Sequence, residues 1–190
     1  MNVVLASGSP RRKELMEMLG IENMKISPAV GEECPPAGAG PEETVLSLAR
    51  AKAEETAHRW GPEDVVIGAD TIVWLDDRVF GKPHSTEEAK RMLRALSGNT
   101  HRVYTGVCVL KGGSVLEHCE VSTVHFRPLD DAEIAAYVAT GEPMDKAGAY
   151  GIQGRGALFV RGIEGDFFNV MGLPLCSLGE MLKSQGVLVL

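Results

Sequence analysis

The chain has 190 residues, of which 44% are hydrophobic and 24% charged, and a net charge of −7. That length accommodates one domain, or one elongated domain of two lobes, around a real core, and the composition excludes a disordered chain. The acidic balance excludes a general nucleic-acid binder, which needs a broad basic face, and no stretch approaches the roughly 20 apolar residues of a membrane span.

In chain order, Val3-Val4-Leu5 predicts a short buried strand and Ala6-Ser7-Gly8-Ser9 a turn. Pro10 then opens a helix with Leu15, Met18 and Leu19 on its apolar face, stopped by Gly20. Gly8 lets backbone approach a ligand, Ser9 is a good N-cap, and Pro10 suits the first helical position. The free N–H groups of such a turn sit at the positive end of the helix dipole, where phosphates bind. Arg11, Arg12 and Lys13 add cations where the dipole disfavours them, which points to a polyanionic ligand; the alternative is a solvated basic turn.

Residues 21–29 read as a short strand, and a Pro/Gly-rich loop with Glu32 and Glu33 follows. Pro41 opens a helix to about His58 with Val45, Leu48 and Ala49 on one face. Lys52 continues that face and either snorkels to solvent or reaches into a cleft. Val65-Val66-Ile67 predicts a buried strand ending in Gly68-Ala69-Asp70-Thr71. Ile72 to Leu75 continue extended, Asp76-Asp77 turn, and Val79-Phe80 return to Gly81-Lys82-Pro83. Ser85 and Glu88 form a capping box for a helix burying Ala89, Met92, Leu93 and Leu96. Residues 102–110 and 115–126 read as two strands joined as a hairpin through Gly112-Gly113. Asp130 and Glu133 cap a helix carrying Ile134, Tyr137 and Val138. Residues 146–156 form a glycine-rich, flexible-backbone loop, and the last part reads as strand, turn at Gly165-Asp166, strand and helix. Alternating strands and helices interrupted by a hairpin define an α/β fold with a mixed sheet.

Asp70 is the best single candidate for a catalytic group: it directly follows a buried strand, where open α/β sheets place ligand crevices, and Gly68 and Ala69 leave room beside it. Its alternative is a turn-capping role. Glu32 and Glu33 offer oxygens to a hard divalent cation, or are simply solvated. Lys82 is pinned between Gly81 and Pro83, while Lys146 and Gln153 bracket the glycine-rich loop, which could close on a base or sugar. The chain has no P-loop and no G-x-S-x-G elbow, and its five histidines lack metal-ligand spacing. Cys34, Cys108, Cys119 and Cys176 form no Cys-x-x-Cys pair, so reduced thiols are expected. With no signal peptide visible, the expected setting is cytoplasmic.

Six ordered motifs carry a family resemblance. They are Ser7-Gly8-Ser9-Pro10-Arg11-Arg12, Gly68-Ala69-Asp70-Thr71, Gly81-Lys82-Pro83, Tyr104-Thr105-Gly106, residues 145–154, and Val170-Met171-Gly172-Leu173-Pro174. In order and spacing the chain resembles the Maf family over essentially its whole length. The resemblance implies one Maf-like domain over residues 1–190. It also implies a fold similar to inosine triphosphate pyrophosphatases: an elongated mixed sheet with flanking helices, and two lobes around a central cleft. It further implies a cytoplasmic nucleoside triphosphate pyrophosphatase, often a homodimer. Members acting on dTTP and UTP carry Arg, Thr and Gln where this chain has Arg11, Thr71 and Gln153; members acting on 7-methyl-GTP tend to carry Trp, Gln and Glu. The implied base is Asp70. Ser7, Arg11, Arg12, Lys52 and Lys82 would bind phosphate, Lys146 would add a further contact, and Glu33 with Asp70 would hold Mg²⁺ or Mn²⁺. Two rivals are a nucleotide-binding regulator of septum formation and a nucleotidyltransferase. The latter rests on a faint likeness of residues 5–12 to the L-x-A-G-x-G-x-R loop, whose second glycine is missing here.

Overall fold

The computed structural model describes residues 1–31 and 34–189. In chain order the elements are β1 (Val3–Leu5), α1 (Pro10–Glu17), β2 (Met24–Ile26), α2 (Pro41–Ala57), β3 (Val65–Leu75) and β4 (Arg78–Phe80). Then come α3 (Thr86–Leu96), β5 (Thr100–Lys111), β6 (Ser114–Phe126), α4 (Asp131–Ala139), β7 (Val160–Glu164), α5 (Phe167–Met171) and α6 (Leu175–Ser184). The described strands form one sheet in the order β2-β1-β3-β5-β6-β7, with β4 paired to β3. It is mixed: β1 runs parallel to β2 and β3, whereas β4 and β7 are antiparallel to β3 and β6. The expected α/β class with a mixed sheet and flanking helices is the one observed.

The chain divides into two compact units, one of residues 1–70, 105–120 and 172–190, the other of residues 71–104 and 121–171. In the first unit, α2 lies against sheet backbone because two strand positions have no side chain. A Cβ at Gly68 would overlap the carbonyl oxygen of Ala49, and one at Gly106 would lie 2.5 Å from the Val45 carbonyl carbon. Ala49 and Ala53 then pack on Val4, Ala6, Val66 and Cys108 with almost no exposed area. Small residues on both surfaces are what allow this approach.

The core of the second unit is aromatic. Phe126 sits edge-on to His101, Tyr150 and Phe159, with ring centroids 4.9, 4.8 and 6.0 Å away. His101 is fully buried; its Nε2 lies 2.8 Å from Tyr150 Oη, and its Nδ1 has no partner among the described residues. Helices α3 and α4 pack together, and α4 carries a complete capping box between Asp130 and Glu133.

Several local expectations change. In α1 it is Met16, not Met18, that faces inward; Met18 is 57% exposed. Ser9 caps α1 through its carbonyl, which accepts from Lys13 N at 3.1 Å, and not through its side chain. At α3 the Ser85 hydroxyl accepts from Glu88 N, but the Glu88 carboxylate turns to His84 N, so the box is one residue out of register. The segment after Gly165 is helix α5 rather than a strand, because the Asp166 carboxylate accepts from Phe168 N at 2.7 Å and turns the chain. Most consequential, β3 does not end before Asp70 but runs unbroken to Leu75.

Two stability measurements check this fold. Gly68→Ala should lose more than about 3 kcal/mol in a urea melt, since the added methyl meets rigid helix backbone. Burial holds His101 down to about 4, from an ordinary 6.5. The unfolded chain therefore binds the extra proton first, so stability contributed above pH 6.5 drains away as pH falls towards 4. The loss should reach about 3 kcal/mol, and His101→Gln should flatten that part of the profile.

Candidate active site

The first unit gathers most of the expected phosphate-binding side chains. Strand β1 delivers Ser7, which is buried, and its Oγ accepts from Ser9 N at 3.2 Å and from Arg12 Nη1 at 3.4 Å. Arg12 reaches back from α1, donating from Nε to Gly172 O at 2.8 Å and from Nη1 to Ala69 O at 2.9 Å. Those bonds tie α1 to β3 at the residue preceding Asp70 and to the turn before α6. Burial works against the Arg12 charge, Asp70 offsets part of that, and Arg11 adds to it; the net effect lowers its pKa. Arg11 is half-buried on the same turn, whereas Lys13 faces solvent beside Glu17 at 3.8 Å. The third cation of the basic turn is thus a surface residue.

Asp70 projects from the middle of β3, on the face that also carries Val66 and Gly68, because alternate residues of a strand share a face. That is the α2 face. Lys52, one turn after Ala49 on α2, forms an ion pair with Asp70 Oδ1, and the two side chains are 22% and 17% exposed. Lys52 therefore does not snorkel. Space beside Asp70 does not come from Gly68, whose open side is filled by α2.

The second unit holds Thr71, Lys82, Lys146 and Gln153. Thr71 is half-buried, and Lys82 is exposed beside a buried Pro83. Gly148 N donates to Gly81 O at 3.1 Å, joining the Lys82 turn to the Lys146 loop. Lys146 Nζ donates to Glu142 O and to Asp145 Oδ1, both at 2.7 Å. Gln153 is exposed. Its loop is not the loose segment expected from its glycines: residues 142–145, 147–149 and 155–159 form 3-10 turns.

Glu33 lies outside the described residues, as does Glu32. Among the described residues no three His, Cys, Asp or Glu side chains cluster as a metal cage. Asp70 is nonetheless a suitable donor, since Mg²⁺ commonly takes one or two protein carboxylates and completes its shell with substrate phosphates and water. The thiols stay outside this chemistry: burial pushes Cys108 up to about 12 and Cys119 up to about 11, and all four cysteines are free. Glu142 and the Gly172 carbonyl escaped the sequence reading. Glu142 stands four residues before Lys146, a legible spacing, but a carbonyl acceptor leaves no signature.

The fold is an α/β mixed-sheet architecture of the HAM1 kind. A HAM1 protein from Coxiella burnetii superposes with a TM-score of 0.54 at 17% identity, covering 97% of this chain and 99% of that one. The chain belongs to the Maf-like protein family, whose model matches residues 2–185. A Thermococcus kodakarensis protein named dTTP/UTP pyrophosphatase is 51% identical over 175 residues, 91% of each chain. One of the same name from Pelotomaculum thermopropionicum is 50% identical over 191 residues, 99% of this chain and 98% of its own. No described helix is long and apolar enough to cross a membrane.

Arg12 thus has a structural task besides any ligand it meets. Arg12→Ala should cost about 2–4 kcal/mol in a denaturant melt, because two carbonyls lose a charged donor. Lys82→Ala, at an exposed position, should stay within about 0.5 kcal/mol of the unmodified protein.

Proposed function

We propose that this protein hydrolyses dTTP and UTP to the monophosphate and pyrophosphate. The observation that carries the reading is Asp70 held by Lys52, one residue from the Ala69 carbonyl that anchors Arg12. A carboxylate, an ammonium and a guanidinium on one rigid frame suit the hydrolysis of a phosphoanhydride. The dTTP/UTP pyrophosphatases that share half of this sequence support the choice of substrate.

In this reading Asp70 orients the attacking water and accepts its proton. The bond between the α phosphorus and the bridging oxygen breaks, and the leaving pyrophosphate carries away the electron pair. Arg11, Arg12, Lys52 and Lys82 neutralise the triphosphate and the charge growing on pyrophosphate, and Ser7 donates to a phosphate oxygen. Lys146 adds a further contact. Asp70 and Glu33 would hold a Mg²⁺ or Mn²⁺ ion, which supplies Lewis acidity towards the phosphoryl oxygens. Gln153 offers one donor and one acceptor to the O4 and N3–H edge of uracil or thymine, with Arg11 and Thr71 completing the pyrimidine set. Residues 1–190 work as one catalytic domain, in the cytoplasm and as a homodimer.

Steady-state kinetics on the nucleotide panel test this. UTP and dTTP should lead ATP, GTP and 7-methyl-GTP in kcat/KM; CTP should fall only modestly behind, since a rotatable amide can reverse its pattern. Asp70→Asn should lose about 10²–10⁴ in rate while still binding nucleotide. Near-normal turnover would remove Asp70 from the mechanism, and a preference for 7-methyl-GTP would overturn the substrate. Gln153→Glu should lower turnover of both pyrimidine triphosphates, because a carboxylate cannot donate to O4.

A further inference from the structure

Gln153 stands on a span of backbone tethered on both sides. Before it, Gly151 N donates to Tyr137 Oη at 3.1 Å. After it, Arg155 N and Gly156 N donate to the Glu142 carboxylate at 3.0 and 3.3 Å. The two anchors are themselves joined, since Tyr137 Oη donates to Glu142 Oε1 at 2.9 Å. Gly154 N closes the turn onto Gly151 O at 3.3 Å.

The fit is close as well as bonded. A Cβ at Gly154 would overlap the Glu142 carboxylate, and one at Gly151 would lie 2.6 Å from Lys146 Cε. Glu142 is thereby wedged against the loop backbone. Burial raises its carboxyl, but the donors from Arg155, Tyr137 and Gly156 and the charge of Lys146 outweigh that and lower it. Tyr137 is buried in the aromatic core against Phe159, at a centroid distance of 4.9 Å, so the anchor is fixed at its far end. A carboxylate whose oxygens already accept from three donors is engaged within the protein. Its consequence lies in the orientation of the residues between its partners, and the side chain displayed there is Gln153.

We infer that Glu142, together with Tyr137, is a positioning residue that fixes the backbone carrying Gln153 and so sets nucleobase discrimination. The inference rests on the pyrimidine triphosphate reading above. A side chain can tell a uracil from the larger purine only if the backbone that carries it is held at a fixed place, whichever way its terminal amide is turned, because a backbone free to shift lets the amide reach many partners.

Two measurements on Glu142→Ala, Glu142→Gln and Tyr137→Phe test it. Amide hydrogen exchange at Arg155 and Gly156 should speed up at least tenfold in Glu142→Ala, with α3 unaffected. The ratio of kcat/KM for UTP over GTP should fall at least tenfold, chiefly through KM for UTP. Glu142→Gln keeps one acceptor oxygen and should recover part of both effects. In a Gln153→Ala background, Glu142→Ala should leave the ratio within twofold, since the effect travels through Gln153. A merely structural role would lower activity on both nucleotides alike and keep their ratio. Unchanged exchange at Arg155 and Gly156, or faster exchange with an unchanged ratio, overturns the inference. Should Glu142→Ala fail to fold, Tyr137→Phe keeps the ring and carries the same tests at Gly151. An unmodified protein with no preference for UTP defeats the substrate reading instead, and the exchange experiment then decides the role of Glu142 alone.

Discussion

The first unit depends on helix α2 lying directly on sheet backbone at Gly68 and Gly106. Close helix–strand contact brings Lys52 within reach of Asp70, because one helical turn separates Lys52 from Ala49 and two residues of strand separate Asp70 from Gly68. A methyl group at either glycine would push the helix outward by part of an ångström or more. The ion pair would feel that displacement first. The surroundings of Asp70 are therefore set by residues that have no side chain of their own.

Arg12 shows a second form of the same dependence. It is charged, half-buried and tied to two backbone carbonyls, so its position is over-determined before any ligand arrives. Fixed donors lose little freedom on binding an anion, which is the physical meaning of preorganisation. The energetic consequence is that an anion meeting Arg12 would find a side chain that the fold already holds in place.

Much of this was legible in the sequence and some was not. The helix entered at Pro41, the capping box at Asp130 and the hairpin at Gly112-Gly113 follow from local rules, and each is present. Gly68 and Ala69 read as the end of the strand before Asp70, but their smallness answers to a helix packed above them, a tertiary fact that no window of sequence contains. The sequence leaves Lys52 open between solvent and cleft, since a lysine on a helix face is resolved only by what lies opposite. The glycine-rich loop misled in the other direction. Its glycines signal freedom, but at 151 and 154 they make room for Lys146 and Glu142, which remove it. The fold of the first unit pairs Ser7 with Arg12 and Lys52 with Asp70, yet the carbonyls that orient Arg12 have no residue type to betray them.

Asp70 and Thr71 are neighbours inside an uninterrupted strand, and that placement bears on how such a protein changes over evolutionary time. Successive side chains of a strand leave on opposite faces, and the strand's hydrogen bonds hold the backbone at both positions in that extended form. A bulkier or differently polar residue at position 71 makes no steric demand on the carboxylate at position 70. The two positions can therefore diverge independently: one can change by single substitutions while the other stays fixed. A strand, more than a loop, lets a lineage replace one side chain without moving its neighbour.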